Sequence, residues 1–145
     1  MRYISTRGQA PAVGFTDAVL GGLAPDGGLY VPEAWPAFTR DEIAAFAGQP
    51  YTLVAAAVLG KFADGEVAEA DLARMCDEAY ASFSHRAVVP MVQIGPQAFI
   101  AELFHGPSLA FKDVAMQMLA RLYDHFLTQQ NRRQTILCAT SGDTG

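Results

Sequence analysis

The sequence predicts an α/β protein in which a helical, turn-rich N-terminal domain precedes the first βαβ portion of a parallel sheet. Three observations point there. Apolar residues recur at helical spacing over residues 68–83 and 111–129. Residues 135–139, Thr-Ile-Leu-Cys-Ala, form a continuous apolar run of the kind found in buried parallel strands. Charge is also unevenly divided: residues 1–88 carry six basic and eleven acidic groups, and residues 89–145 carry four of each. These features predict one domain over 1–88 and the start of a second over 89–145.

In chain order, residues 2–5 read as a short edge strand, and Thr16-Asp17 as the cap of a brief helix ending at Leu20. Ala24-Pro25-Asp26-Gly27-Gly28 is a tight-turn cluster. Leu29-Tyr30-Val31 follows as a short strand closed by Pro32. Thr39-Arg40-Asp41-Glu42 is a capping box that opens a short helix. A second helix spans 51–62 and stops at Asp64-Gly65. The third, over 68–83, carries the stripe Leu72, Met75, Cys76, Ala79, Tyr80 and Phe83, which reads as core packing. Residues 91–94 and 98–104 read as strands around Gly95-Pro96. After the loop His105-Gly106-Pro107-Ser108, a long helix from 111 to 129 repeats apolar positions Val114, Met118, Leu122 and Phe126. A strand, a helix and a second strand with more than a dozen connecting residues make a right-handed βαβ unit.

The 145 residues are 51% hydrophobic and 17% charged, which excludes intrinsic disorder. A net charge of −5 with no basic face argues against nucleic acid. Residues 43–60 lack charge, but Gly48-Gln49-Pro50 divides them into two core helices rather than one membrane span. Arg2 and Arg7 are followed by no apolar segment of signal-peptide type. Cys76 and Cys138 read as buried, inert thiols of a reducing compartment, with no zinc-ligand spacing around them. The protein is expected to be soluble and cytoplasmic.

Two loops carry chemistry. In the first, residues 102–113, Lys112 is one of only two lysines among ten basic residues. It stands in the first turn of the long helix, facing the positive end of the dipole, with Phe104, Leu109 and Phe111 nearby. Both effects depress an amine's pKa, as a nucleophilic or Schiff-base lysine requires, whereas a close Asp113 carboxylate would oppose them. On spacing alone a snorkelling lysine is the simpler reading. His105 reads equally as an acid–base group or a structural hydrogen-bonder; His85 and His125 read as surface or helix-edge residues. The second loop, Thr140-Ser141-Gly142-Asp143-Thr144-Gly145, follows the apolar run, where parallel sheets bind ligands. It suits an anion held by backbone N–H groups and hydroxyls, and equally an ordinary strand-to-helix turn. Asp143-Thr144-Gly145 also matches the aspartic-protease tripeptide, a reading that leaves Lys112 without a use.

Together, Arg2-Tyr3-Ile4-Ser5-Thr6-Arg7-Gly8, the stretch from Gly22 to Pro32, residues 102–113 and the Ala139-Thr140-Ser141-Gly142-Asp143-Thr144-Gly145 loop resemble the threonine synthase family. Its members are pyridoxal-phosphate enzymes of the fold type II, or tryptophan synthase β, superfamily. The resemblance covers essentially the whole chain, with Ser108 standing where threonine is common. It implies that Lys112 binds pyridoxal 5′-phosphate covalently and then moves protons at Cα and Cβ of the substrate, O-phosphohomoserine. Phosphate leaves from Cγ, and water adds at Cβ to give threonine. It further implies that Ser141, Gly142 and Thr144 hold the substrate carboxylate and that Asp143 lies near the cofactor's ring hydroxyl. The cradle for the cofactor phosphate and the partner of the pyridine nitrogen are expected further along than Gly145. The chain therefore reads as truncated inside a ligand loop, and these 145 residues alone are expected to be inactive and prone to self-association. The alternatives are another fold type II lyase or dehydratase, or a non-catalytic threonine-synthase-like protein.

Overall fold

The computed structural model describes residues 1–140 and Gly142. The chain divides into two compact units, Met1–Arg74 and Met75–Gly145, with the dividing line inside a helix. It is a mixed fold of helices and strands, as the sequence predicts.

The first unit is built on a small antiparallel sheet. Strand β1 (Tyr3–Ser5) pairs with β2 (Tyr30–Pro32) in the register Tyr3↔Pro32, Ile4↔Val31, Ser5↔Tyr30. The turn between them is organised by one side chain. Asp26 accepts the Ser5 hydroxyl at 2.7 Å and the backbone amides of Gln9, Ala10 and Gly28, each at 2.9 Å. The Ser5 hydroxyl is the chief cause, with the amides adding to it, of a carboxyl pKa lowered to about 2, while burial opposes the shift.

Helix α1 (Phe15–Gly21) begins after Gly14 with no side-chain cap of its own, so Thr16 and Asp17 do not cap it as expected. Its first amides are satisfied from far along the chain: Phe15 and Thr16 donate to the two carboxylate oxygens of Glu66 at 2.7 and 2.9 Å. A Cβ on Gly14 would lie 2.7 Å from Glu66 Oε1, so a larger residue there would displace this carboxylate from the amides it accepts. Tyr3 and Phe15, both buried, stack at 6.0 Å, and the Tyr3 hydroxyl donates to the Phe62 carbonyl at 2.8 Å.

Helix α2 (Arg40–Ala45) opens with the predicted capping box, Thr39 and Glu42 each bonding the other's backbone amide. Helix α3 (Tyr51–Ala63) ends at Asp64, which takes the left-handed conformation with φ 47°. These two helices are less buried than core helices should be: α2 buries no residue and α3 only Ala63. An open cavity of about 680 Å³ lies beside them, lined by Phe38, Phe46, Leu53, Ala57 and Leu72, with the 2.6 Å Glu42–Lys61 ion pair among its lining residues.

Helix α4 (Glu69–Tyr80) shows the predicted stripe, with Leu72, Met75, Cys76, Ala79 and Tyr80 all buried.

In the second unit, β3 (Met91–Gly95) and β4 (Ala98–Ala101) form an antiparallel hairpin with an irregularity between Gln93 and Gly95. Helix α5 (Asp113–Gln129) buries Met118, Leu122 and Phe126, spaced at one helical face. Two bonds link it to the end of α4: the Tyr80 hydroxyl to the Val114 carbonyl at 3.1 Å, and Arg121 Nη2 to the Glu78 carbonyl at 3.3 Å.

The run 135–139 differs from expectation. It forms neither helix nor strand, and Ile136 and Leu137 are 67% and 96% exposed. A strand exists only by pairing its backbone groups with a neighbour. The four strands formed pair only as β1–β2 and β3–β4, so the second strand of the expected βαβ unit does not assemble among the described residues. Cys138 is accordingly exposed rather than buried; Cys76 is buried as predicted. Among the described residues no helix is long and apolar enough to cross a membrane.

Candidate functional site

The loop between β4 and α5 is built around a buried carboxylate. Asp113, the first residue of α5, is 5% exposed. Its Oδ2 accepts the Ser108 backbone amide and its Oδ1 the Ser108 hydroxyl, both at 2.8 Å. Side chain and backbone thereby close a ring over residues 108–113. The chain turns sharply enough to do so because Leu109 takes φ 60°, and its amide bonds the Gly106 carbonyl at 3.1 Å. Gly106 is required by space, since a Cβ there would fall inside the Asp113 side chain.

Lys112 is the residue at which this ring joins the helix. It occupies the N-cap position of α5 with helical φ −61° and ψ −25°, and its carbonyl accepts from Ala115 at 3.1 Å and Met116 at 2.8 Å. The side chain is half-buried. Phe104, Leu109 and Phe111, flanking it in sequence, are 52%, 71% and 62% exposed. The three predicted apolar residues are therefore exposed on the same loop rather than buried. Asp113, expected only as a charge beside Lys112, has both oxygens engaged by Ser108.

At the other end of the loop, His105 Nε2 lies 2.8 Å from Glu102 Oε2, and the His105 ring stacks on Phe104 at 4.6 Å and on His85 at 5.1 Å. The His105 carbonyl accepts the Ser84 amide and hydroxyl at 2.9 and 3.2 Å. His105 is thus a well-partnered residue and not an isolated loop histidine. The i, i+3 spacing of Glu102 and His105 was the available signal for this pair; nothing in the spacing of Ser108 and Asp113 advertised the clamp.

Of the second predicted loop, Gly142 is exposed with φ 122°, and its amide donates to Thr140 Oγ1 at 3.2 Å. Ser141, Asp143 and Thr144 lie outside the described residues. Among the described residues no cluster of His, Cys, Asp and Glu is arranged to hold a metal ion.

Residues 2–80, more than half of the chain, match the family described as threonine synthase N terminus. The chain belongs to the threonine synthase family. Across all 145 residues it is 54% identical to threonine synthase of Pseudomonas aeruginosa, covering 31% of that protein. Threonine synthase-like 2 of Xenopus laevis is 38% identical over 146 aligned positions, again spanning the whole of this chain and 31% of the relative. Among solved structures, the X-ray crystal structure of PLP-bound threonine synthase from Brucella melitensis superposes with a TM-score of 0.88 at 56% identity, over 92% of this chain and 29% of that one. The chain spans about a third of the length of the threonine synthases it matches.

The residues present fit the cofactor of that Brucella threonine synthase in their chemistry. An aldehyde is held covalently by a primary amine, and Lys112 carries one at the residue where the closed loop joins α5. Phe104, Leu109 and Phe111 of the same loop are exposed, and side chains of that kind suit the flat face of a pyridine ring.

Proposed function

We propose that the protein containing this chain is a threonine synthase, converting O-phosphohomoserine and water to threonine and phosphate in the cytoplasm. The observation that carries the reading is the position of Lys112, held at the start of α5 by a closed loop. Whole-chain identity of 54% to a threonine synthase supports it.

In this reading Lys112 binds pyridoxal phosphate through its amine and, once displaced by substrate, takes and returns protons at Cα and Cβ. The cofactor supplies the electron sink for those proton transfers. Ser141, Gly142 and Thr144 would hold the substrate carboxylate through hydroxyls and backbone N–H groups, and Asp143 would lie near the cofactor's ring hydroxyl. A non-catalytic threonine-synthase-like protein is the second reading; the chain is 38% identical to threonine synthase-like 2.

The test is to purify the full-length protein with its cofactor and follow phosphate and threonine formed from O-phosphohomoserine, with free threonine and serine as competing substrates. Equimolar phosphate and threonine, abolished by Lys112→Ala, is the expected result. Cofactor binding without turnover of any substrate would favour the non-catalytic reading. Turnover of free threonine or serine in its place would indicate a dehydratase.

A further inference from the structure

We propose that Ser108 and Asp113 are positioning residues that aim the Lys112 amine; the inference rests on the reading of Lys112 as the cofactor lysine. A helix N-terminus is ordinarily satisfied by a side chain preceding it, which accepts amides of the first turn. Here the acid that reaches back, as in a capping box, does so over five residues instead of three. The first helical residue, Asp113, reaches back into the loop and takes both of its bonds from Ser108, five residues earlier.

Such an arrangement leaves the helix without an N-cap side chain, since Lys112 occupies that position and makes no cap bond. It also keeps an aspartate at 5% exposure, with a single residue supplying the two bonds to its carboxylate. What the clamp provides is a fixed backbone on both sides of Lys112. The ring of residues 108–113 holds it from the front, and the Ala115 and Met116 amides on its carbonyl hold it from behind. The Tyr80 hydroxyl on the Val114 carbonyl ties the same turn to α4. With the backbone held, the amine's reach is set by side-chain torsions alone, which limits the volume it searches.

The experiment uses the full-length, cofactor-loaded protein and the variants Ser108→Ala and Ser108→Thr. The first removes the hydroxyl that bonds Asp113 and the second keeps it. Asp113→Asn is a supporting variant whose folding is checked by its melting temperature. Readouts are the visible absorbance band of the lysine-bound cofactor with its pH midpoint, and kcat and KM measured separately. Ser108→Ala is expected to lower kcat roughly 10-fold or more with KM unchanged, and to weaken the band or shift its midpoint. Ser108→Thr is expected to restore all three. A folded Ser108→Ala protein with wild-type band and kcat overturns the proposal, as does a Ser108→Thr protein equally impaired. A wild-type protein showing no lysine-bound cofactor overturns the assignment of Lys112 itself, and the two failures are distinguished by that control.

Discussion

Glu66 closes the N-terminus of α1 from 51 positions away, its Oε1 accepting the Phe15 amide at 2.7 Å. The neighbouring Thr16 amide takes the other oxygen, so one carboxylate satisfies two of the helix's orphan donors. A negative charge at the positive end of the helix adds to the bond energy.

Glu66→Ala should therefore destabilise the chain by about 0.5–2 kcal/mol, the range for losing a helix cap. Urea denaturation at neutral pH measures it. Burial pushes the Glu66 carboxyl up, but the bonds from Thr16 and Phe15 bring it to a net value below the ordinary one. The stabilisation is complete above the ordinary carboxylate range and is lost as pH falls through the lowered value. The difference between wild type and variant should shrink on acidification; a constant difference would refute the cap.

Asp26 makes the pH dependence sharper. Its carboxyl is lowered from 3.8 to about 2, first by the Ser5 hydroxyl, so its contribution is fully present above 3.8 and disappears as pH falls through about 2. Asp26→Asn keeps the shape but loses an accepting oxygen, leaving amides of Gln9 and Ala10 without their partner. Melting temperatures measured from pH 7 to pH 2 should show the variant less stable at neutral pH and converging on wild type at the acid end.

The two thiols should separate cleanly in reactivity. Cys76 is buried, and burial, helped by Asp77, pushes its pKa up to about 11, whereas Cys138 is exposed. Iodoacetamide at pH 8 followed by peptide mass spectrometry should find Cys138 alkylated while Cys76 stays protected until the chain is unfolded. Equal labelling of both under native conditions contradicts the burial of α4.

Phe126 is 1% exposed on the inner face of α5. Phe126→Ala should cost about 3–5 kcal/mol through lost burial and the cavity left behind. A shift of the denaturation midpoint no larger than that of a surface substitution would show that this face is not packed.

Local chemistry was legible in the sequence and remote chemistry was not. The Thr39–Glu42 capping box, the Asp64-Gly65 stop and the α4 and α5 stripes each involve residues within a few turns of one another, and each was found where spacing placed it. The α1 cap was missed because its partner, Glu66, is near only after the unit has folded. The apolar run 135–139 looked like a strand because composition is intrinsic, but pairing requires a second strand. At the site, the residue types around Lys112 were readable. The Ser108–Asp113 clamp was hidden because its five-residue spacing matches no capping pattern.

The Asp26 turn has a consequence for how the first unit opens. One carboxylate collects a hydroxyl from β1, two amides from the segment after it and one from its own turn. All four donors help to hold the same side chain in place, so a movement that releases the carboxylate releases them together. The backbone hydrogens of Gln9, Ala10 and Gly28 should therefore exchange with solvent deuterium as one group, at a common rate set by a single opening event. In a chain whose β1–β2 sheet has three residue pairs, this side chain converts three short segments into one cooperative unit.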